Sequence, residues 1–327
     1  MTISDVFNGF LARCLSGALW LMARLPASVV QILVRTSGFL YVRLARDARR
    51  TIATNIAHVE SGLLDQGVSI GSLDDFASRN LRATVELLPE TALCWQGPPD
   101  AWRKLIDTVH GEDALSTLKH AAAVRQRSGD HLSKEQARGV LLLSPHLGNW
   151  ELLNMYLGAE FGLTVLYDPP KIAALEPVIR RARQRTQSTV LPIGAAGLRG
   201  IVQRLKHGAV VGLLPDQVPA VEAGVLAPFY GKQALTINLV HRLASRHKPR
   251  VFLVCALRKP NGRFDIHFDE LTDALGAGSR EISEKSSATS LNQAIEHRVS
   301  QAPEQYQWGY KRFKRVDPAQ PNIYRQA

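Results

Sequence analysis

The sequence predicts an α/β protein: a mainly parallel central sheet flanked by helices, with an N-terminal apolar helical segment that associates with a membrane. Three observations predict it. Short apolar runs such as Gly139-Val-Leu-Leu-Leu143 and Ala209-Val-Val-Gly-Leu-Leu214 lack polar alternation, so they read as strands covered on both faces. Helical stretches long enough for right-handed crossovers separate the later strands. Hydrophobic residues make up 45% of the 327 positions, enough for a sizeable core. We expect residues 1–45 to form the membrane-associating segment and residues 46–327 the α/β domain.

The first segment, from about Val6 to Leu44, is rich in Leu, Val, Ala, Phe and Trp. Arg13, Arg24, Arg35 and Arg43 interrupt it and Pro26 breaks its middle. A spanning helix needs about 20 apolar residues with few charges. The segment therefore reads as helices lying in a membrane interface, with arginines reaching for anionic headgroups. Asp5 and the lack of an early basic cluster argue against a signal peptide. Arg43, Arg46, Arg49 and Arg50 recur at near-helical spacing, as a solvated helix face or an anionic-lipid contact would. Residues 72–125 read as amphipathic helix, broken at Gly97-Pro-Pro between Trp95 and Trp102. Ser128 to Arg138 is polar and aperiodic, an exposed loop.

Strands and helices then alternate. Leu163 to Tyr167, Thr189 to Ile193, Ala209 to Leu214 and Val251 to Leu257 read as strands, and Phe264 to Phe268 as an edge strand. Ala173 to Gln187, Leu198 to His207, Thr236 to His247 and Arg280 to Gln301 read as helices.

Ser144-Pro-His-Leu-Gly-Asn-Trp-Glu151 lies between the first buried strand and an apolar helical segment. Pro145 stops the strand, and Gly148 and Asn149 favour a turn. His146 then sits at the carboxyl end of a strand, where open α/β sheets hold their ligands. Its imidazole, with an ordinary pKa near 6.5, can take a proton from an alcohol. Glu151, five positions on, is expected to hold the far ring nitrogen, as the third member of a nucleophile–base–orienter triad does. No Ser or Cys stands in a nucleophile elbow, so the attacking alcohol belongs to the substrate. Asp216 ends a second strand and is expected at the same sheet edge.

Pro145-His-Leu-Gly-Asn-Trp-Glu151 resembles the His-x4-Asp/Glu block of the late (secondary) acyltransferases of lipid A synthesis, within the glycerolipid acyltransferase superfamily. Gly212-Leu-Leu-Pro-Asp-Gln217 with Pro228-Phe-Tyr-Gly231 resembles the second block. Ala302-Pro-Glu-Gln-Tyr-Gln-Trp308 with Lys311-Arg-Phe-Lys314 resembles the C-terminal block. The blocks come in the family's order, from roughly Val140 to Pro318.

The resemblance implies transfer of a fatty acyl chain from acyl carrier protein to a hydroxyl of a lipid A precursor. It implies work at the cytoplasmic face of the bacterial inner membrane. It makes His146 and Glu151 catalytic. It places Arg185 (with Arg183 as competitor), Asp216, Gln217, Lys311 and Arg312 on the substrate. The oxyanion donors are backbone N–H groups of the turn at Gly148 or a nearby arginine. Asp168 stands where many relatives carry an arginine.

No metal or other cofactor is implied. His241 and His247 share a helix without an acidic ligand, and no glycine-rich phosphate loop occurs. Cys14, Cys94 and Cys255 have neither metal nor disulfide spacing. A formal net charge of +11 calls for an anionic partner. The charge alone does not choose among an acidic membrane face, a phosphorylated lipid, an acidic protein and nucleic acid. No zinc-finger or stacking motif occurs, and the resemblance favours the anionic membrane surface, the lipid or the acidic carrier. A basic nucleic-acid-binding protein stays as an alternative for which only the charge speaks. Acylation of a glycerophospholipid or amino-acid lipid is the nearest alternative, and an idle lipid-binding protein a more distant one.

Overall fold

A computed structural model describes residues 3–127, 138–168, 170, 173–183, 185–278, 281–314 and 322–324. The expected loop from Ser128 lies outside these except for Arg138, as does Arg315, which with Lys311, Arg312 and Lys314 makes up a basic tail in the sequence.

The centre is a strand of four apolar residues, β2 (Val140–Leu143), buried throughout. It pairs in parallel with β5 (Val210–Leu213) on one side and β8 (Arg250–Arg258) on the other. Beyond β5 come β3 (Leu163–Tyr167) and β4 (Thr189–Pro192), also parallel. Beyond β8 come β9 (Phe264–Glu270), antiparallel to β8, and then β1 (Ile106–His110), parallel to β9. The order is β1-β9-β8-β2-β5-β3-β4, so the sheet is mainly parallel, as the apolar runs required. The strand Phe264–Phe268, expected at an edge, is second from it. The edge is β1, which the reading of residues 72–125 as helix overlooked.

One face of the sheet carries α8 (Ala195–Lys206), α9 (Leu239–His247) and α10 (Glu284–Gln301), with α3 (Arg46–Asp65) joining the same core. Their buried side chains form one core with Leu141, Leu143, Leu253 and Cys255 of the sheet. The other face packs Val140, Leu142 and Phe252 under α5 (Glu112–Arg127) and α6 (Trp150–Phe161). A fully buried Leu or Val contributes about 1.5–3 kcal/mol, so the strand that delivers His146 is rooted on both faces. α7 (Glu176–Arg183) is shorter than the helix expected from Ala173. A hairpin, β6 (Gly224–Phe229) with β7 (Lys232–Ile237), lies outside the main sheet and was not foreseen.

α1 (Ile3–Met22) and α2 (Ala27–Leu44) pack along α4 (Leu73–Gln96). Arg24 donates to the Gln96 carbonyl at 3.0 Å, and the Gln96 amide to Ser16 at 3.2 Å. Their outer sides expose Phe10, Trp20, Ile32, Leu33, Phe39 and Leu40. Among the described residues, no helix is long and apolar enough to cross a membrane.

Candidate active site

The turn after β2 is built so that every backbone donor from His146 to Asn149 has a partner. The N–H of His146 donates to Asp216 Oδ2 at 2.8 Å. Those of Leu147, Gly148 and Asn149 donate to the carbonyls of Pro145, Gln305 and Ala256 at 2.7, 3.1 and 3.0 Å. Gly148 has φ +63°, and a Cβ there would run into the Ala256 carbonyl oxygen, so only glycine fits. Asn149 caps α6, its Oδ1 accepting from Leu152 N–H at 2.8 Å. Its amide donates to Glu90 Oε2 at 3.0 Å. Glu90 receives Arg258 in a bidentate fork at 2.7 and 2.9 Å, and the third Arg258 nitrogen binds Glu86 at 2.8 Å.

The C-terminal segment closes the turn from the other side. Gln307 N–H donates to the His146 carbonyl at 3.0 Å. Two helix asparagines hold this segment. Asn80 donates to the carbonyls of Glu304 and Tyr306 at 2.8 and 2.7 Å, and Asn55 to those of Trp308 and Tyr310 at 2.7 and 2.8 Å. Asn55, Asn80 and Trp308 are buried. No short motif contains this clamp, because its halves lie more than 220 residues apart.

The carboxylate that holds the His146 ring is Asp216, not Glu151. Nδ1–H donates to Asp216 Oδ1 at 2.8 Å. With the proton fixed on Nδ1, Nε2 carries the lone pair, facing the Gln217 amide nitrogen at 3.2 Å. Burial opposes the imidazolium, but the charge and hydrogen bond of Asp216 prevail, and the His146 pKa rises above its ordinary 6.5. Burial likewise opposes the Asp216 carboxylate, yet His146, its backbone N–H and Arg312 hold it below the usual range. The Trp150 ring stands edge-on to the imidazole at 5.4 Å.

Glu151 starts α6 and turns away from the imidazole. It accepts from Trp95 Nε1 at 2.9 Å and meets Arg183 at 3.4 Å. The five-residue spacing crosses both the turn and the first helical residues, which points its side chain toward α4 and α7.

Arg185 does not face the site. It donates to the Gly97 and Cys94 carbonyls at 2.7 and 3.4 Å, closing the end of α4. Its competitor Arg183 lies over the Tyr167 ring at 4.7 Å and lines a cleft, with its Nε buried and unpartnered. Arg312 is buried beneath the site, on the Leu235 carbonyl at 2.7 Å and Thr236 Oγ1 at 3.0 Å, where no substrate reaches it. Its charge acts on Asp216. Lys311 is exposed over the Tyr324 ring at 5.5 Å and lines neither cleft. Asp168 is exposed.

Two clefts meet at Trp150. One, of about 350 Å³, is lined by His146, Leu87, Arg258 and residues 304–307. The other, of about 490 Å³, runs between α6 and the sheet, walled by Leu142, Leu153, Leu157, Leu163, Val165 and Leu213. Glu151 and Arg183 are also on its wall. Gly212 lies at its inner wall, where a Cβ would stand 3.2 and 3.3 Å from Leu163 and Val165 side-chain atoms. The arrangement offers a base with an oriented lone pair beside an apolar slot. No cluster of three metal-ligating side chains surrounds His146 among the described residues.

The sequence profile described as bacterial lipid A biosynthesis acyltransferase matches residues 8–315. The chain belongs to this family. The acyltransferase is similar to the lipid A biosynthesis palmitoleoyltransferase of Escherichia coli (strain K12), 27% identical over 311 residues, covering 94% of this chain and 92% of the relative. It is similar to the lauroyltransferase of the same strain, 24% identical over 315 residues with the same coverage. A lipid A biosynthesis acyltransferase of Haemophilus influenzae is 24% identical over 204 residues, 59% of this chain and 62% of the relative. The three sequence blocks therefore marked the right family.

Proposed function

We propose that this acyltransferase moves a fatty acyl chain from acyl carrier protein to a hydroxyl of a lipid A precursor, with His146 as general base. The observation that carries the reading is the imidazole locked on buried Asp216, with its Nε2 lone pair turned to the Gln217 amide and its side chain lining one of the two clefts that meet at Trp150. Nε2 takes the acceptor's hydroxyl proton as that oxygen attacks the thioester carbonyl. The tetrahedral intermediate collapses, the C–S bond breaks, and the leaving thiolate takes the proton back from the imidazolium. Positioned base catalysis of this kind contributes about 10²–10⁴-fold.

The apolar cleft takes the acyl chain, and the cleft at His146 the acceptor. The backbone donors of the turn are all engaged, so Gly148 is not the oxyanion donor. Arg258 has its charge matched by Glu90 and Glu86, and Arg183, with its Nε unpartnered, is the cation assigned to the developing charge. Glu151 holds Arg183 in place.

The enzyme works on the cytoplasmic face of the bacterial inner membrane. The apolar sides of α1 and α2 enter the interface, and exposed Arg35, Arg43, Arg46 and Arg50 meet anionic headgroups. Vesicles of anionic phospholipid should sediment the protein, and Ile32→Asp with Leu40→Asp should release it. Sedimentation unchanged by both would refute the interfacial segment.

The reaction is tested by mass spectrometry of lipid A from a host lacking its own late acyltransferases. The gene should add the mass of one acyl chain, and His146→Ala should not. Unchanged lipid A with the protein present in the membrane would overturn the acceptor assignment.

A further inference from the structure

At the edge of the sheet, two strands beyond β8 and three beyond β2, β1 and β9 bring His110, His267 and Asp265 together. His110 and His267 are direct cross-strand partners, and Asp265 stands two residues along β9 on the same face. The two imidazoles stack at 4.7 Å with their planes 8° apart. His110 Nε2 is 3.6 Å from Asp265 Oδ2. One ligand atom from each of the three lies within 4.8 Å of the other two. We propose that His110, Asp265 and His267 form a binding site for Zn²⁺, separate from the His146 site, that ties the edge strand to β9.

The donor set selects the ion. Zinc bonds of about 2.0–2.2 Å hold neighbouring donors of a tetrahedron about 3.4 Å apart. Rotation of His110, whose side chain is 48% exposed, closes the present spacing, and the open side leaves room for water as a fourth ligand.

The surrounding charge is balanced. Lys259 bridges Asp107 at 2.7 Å and Asp265 at 3.4 Å, Arg263 meets Asp107 at 2.6 Å, and Arg298 holds Asp269. Three carboxylates thus face three cations. Ca²⁺ and Mg²⁺, which need several oxygen ligands, find no surplus there, whereas two imidazoles suit zinc. The sequence could not announce this site, because some 155 residues separate its two halves.

The test is Zn²⁺ titration of the full-length protein against a chromophoric chelator, with Co²⁺ absorption as a second probe. The wild type should bind one equivalent and give the visible bands of a low-coordinate cobalt site. His110→Ala and Asp265→Asn should each weaken binding at least about tenfold. Both should keep acyl transfer, since neither residue touches His146, and His110→Ala, at a half-exposed position, should also keep the metal-free melting temperature. Mg²⁺ in excess should not compete. Binding below one equivalent, or affinity unchanged in both variants, overturns the proposal.

Discussion

Asp216→Asn separates the two carboxylates that could serve His146. In the wild type, Asp216 accepts two hydrogen bonds, from the His146 backbone N–H and from Nδ1–H, both at 2.8 Å. An asparagine has one oxygen and one NH₂ in their place. If the oxygen keeps the backbone N–H, the NH₂ faces Nδ1, which must give up its proton. The proton moves to Nε2, and the nitrogen facing the substrate can no longer act as a base. A wrong tautomer of this kind has cost about 10⁴-fold in a serine protease. Here the loss is set at about 10³–10⁴-fold, or about 4–5.5 kcal/mol of barrier. The assay is initial-rate acyl transfer from an acyl-carrier-protein thioester over pH 5.5–9, roughly the span about the histidine titration, with Glu151→Gln beside it. Asp216 raises the His146 pKa, so any residual activity of Asp216→Asn should have its acidic limb at lower pH than the wild type. Thermal melting would show that the variant is folded. Turnover of Asp216→Asn within tenfold of wild type, with Glu151→Gln down a thousandfold, would refute the assignment and return the orienting role to Glu151.

Other outcomes follow from the same geometry. The His146–Asp216 pair stabilises the fold where both are charged. The raised histidine contributes fully below its ordinary 6.5 and fades as pH rises through its folded value; the lowered aspartate contributes above its ordinary 3.8 and fades as pH falls through its folded value. The pair's share, read as the melting-temperature difference between wild type and Asp216→Asn, should therefore be greatest between those two values and shrink on either side. Gly148→Ala meets a positive φ and the Ala256 carbonyl at once, so it should lose at least about 2 kcal/mol by urea unfolding and most of its activity. Gly212→Leu fills the apolar cleft, so mass spectrometry of the product should show a shorter transferred chain with the same acceptor. An unchanged chain length would move the acyl slot elsewhere.

Much of this was legible in the chain. Buried strands are apolar without alternation, and a strand end followed by Pro and Gly marks where a side chain such as His146 stands. Asp216 was legible for the same reason, at the end of β5. Which carboxylate meets the imidazole was not. Sequence distance favoured Glu151, while sheet order sets β5 directly beside β2 and brings Asp216 closer across 70 residues. The basic tail misled in a similar way, because Arg312 looks like a solvent residue until the carbonyls that bury it are located. β1 hid in an amphipathic stretch because Ile-Asp-Thr-Val-His is too short for its period to stand out. Arg183 and Arg185 differ only in which helix end they meet, and two residues of spacing cannot tell that.

The clamp on the His146 turn also fixes an order of events. Every strand of both sheets lies before residue 271, whereas the segment that locks His146 and Gly148 comes after α10. Domains synthesised from the amino end can fold as the chain emerges. A chain stopped after α10 thus holds every strand, with His146 and Asp216 both present, and lacks the latch. The His146 turn is completed only once the segment that follows α10 has been made.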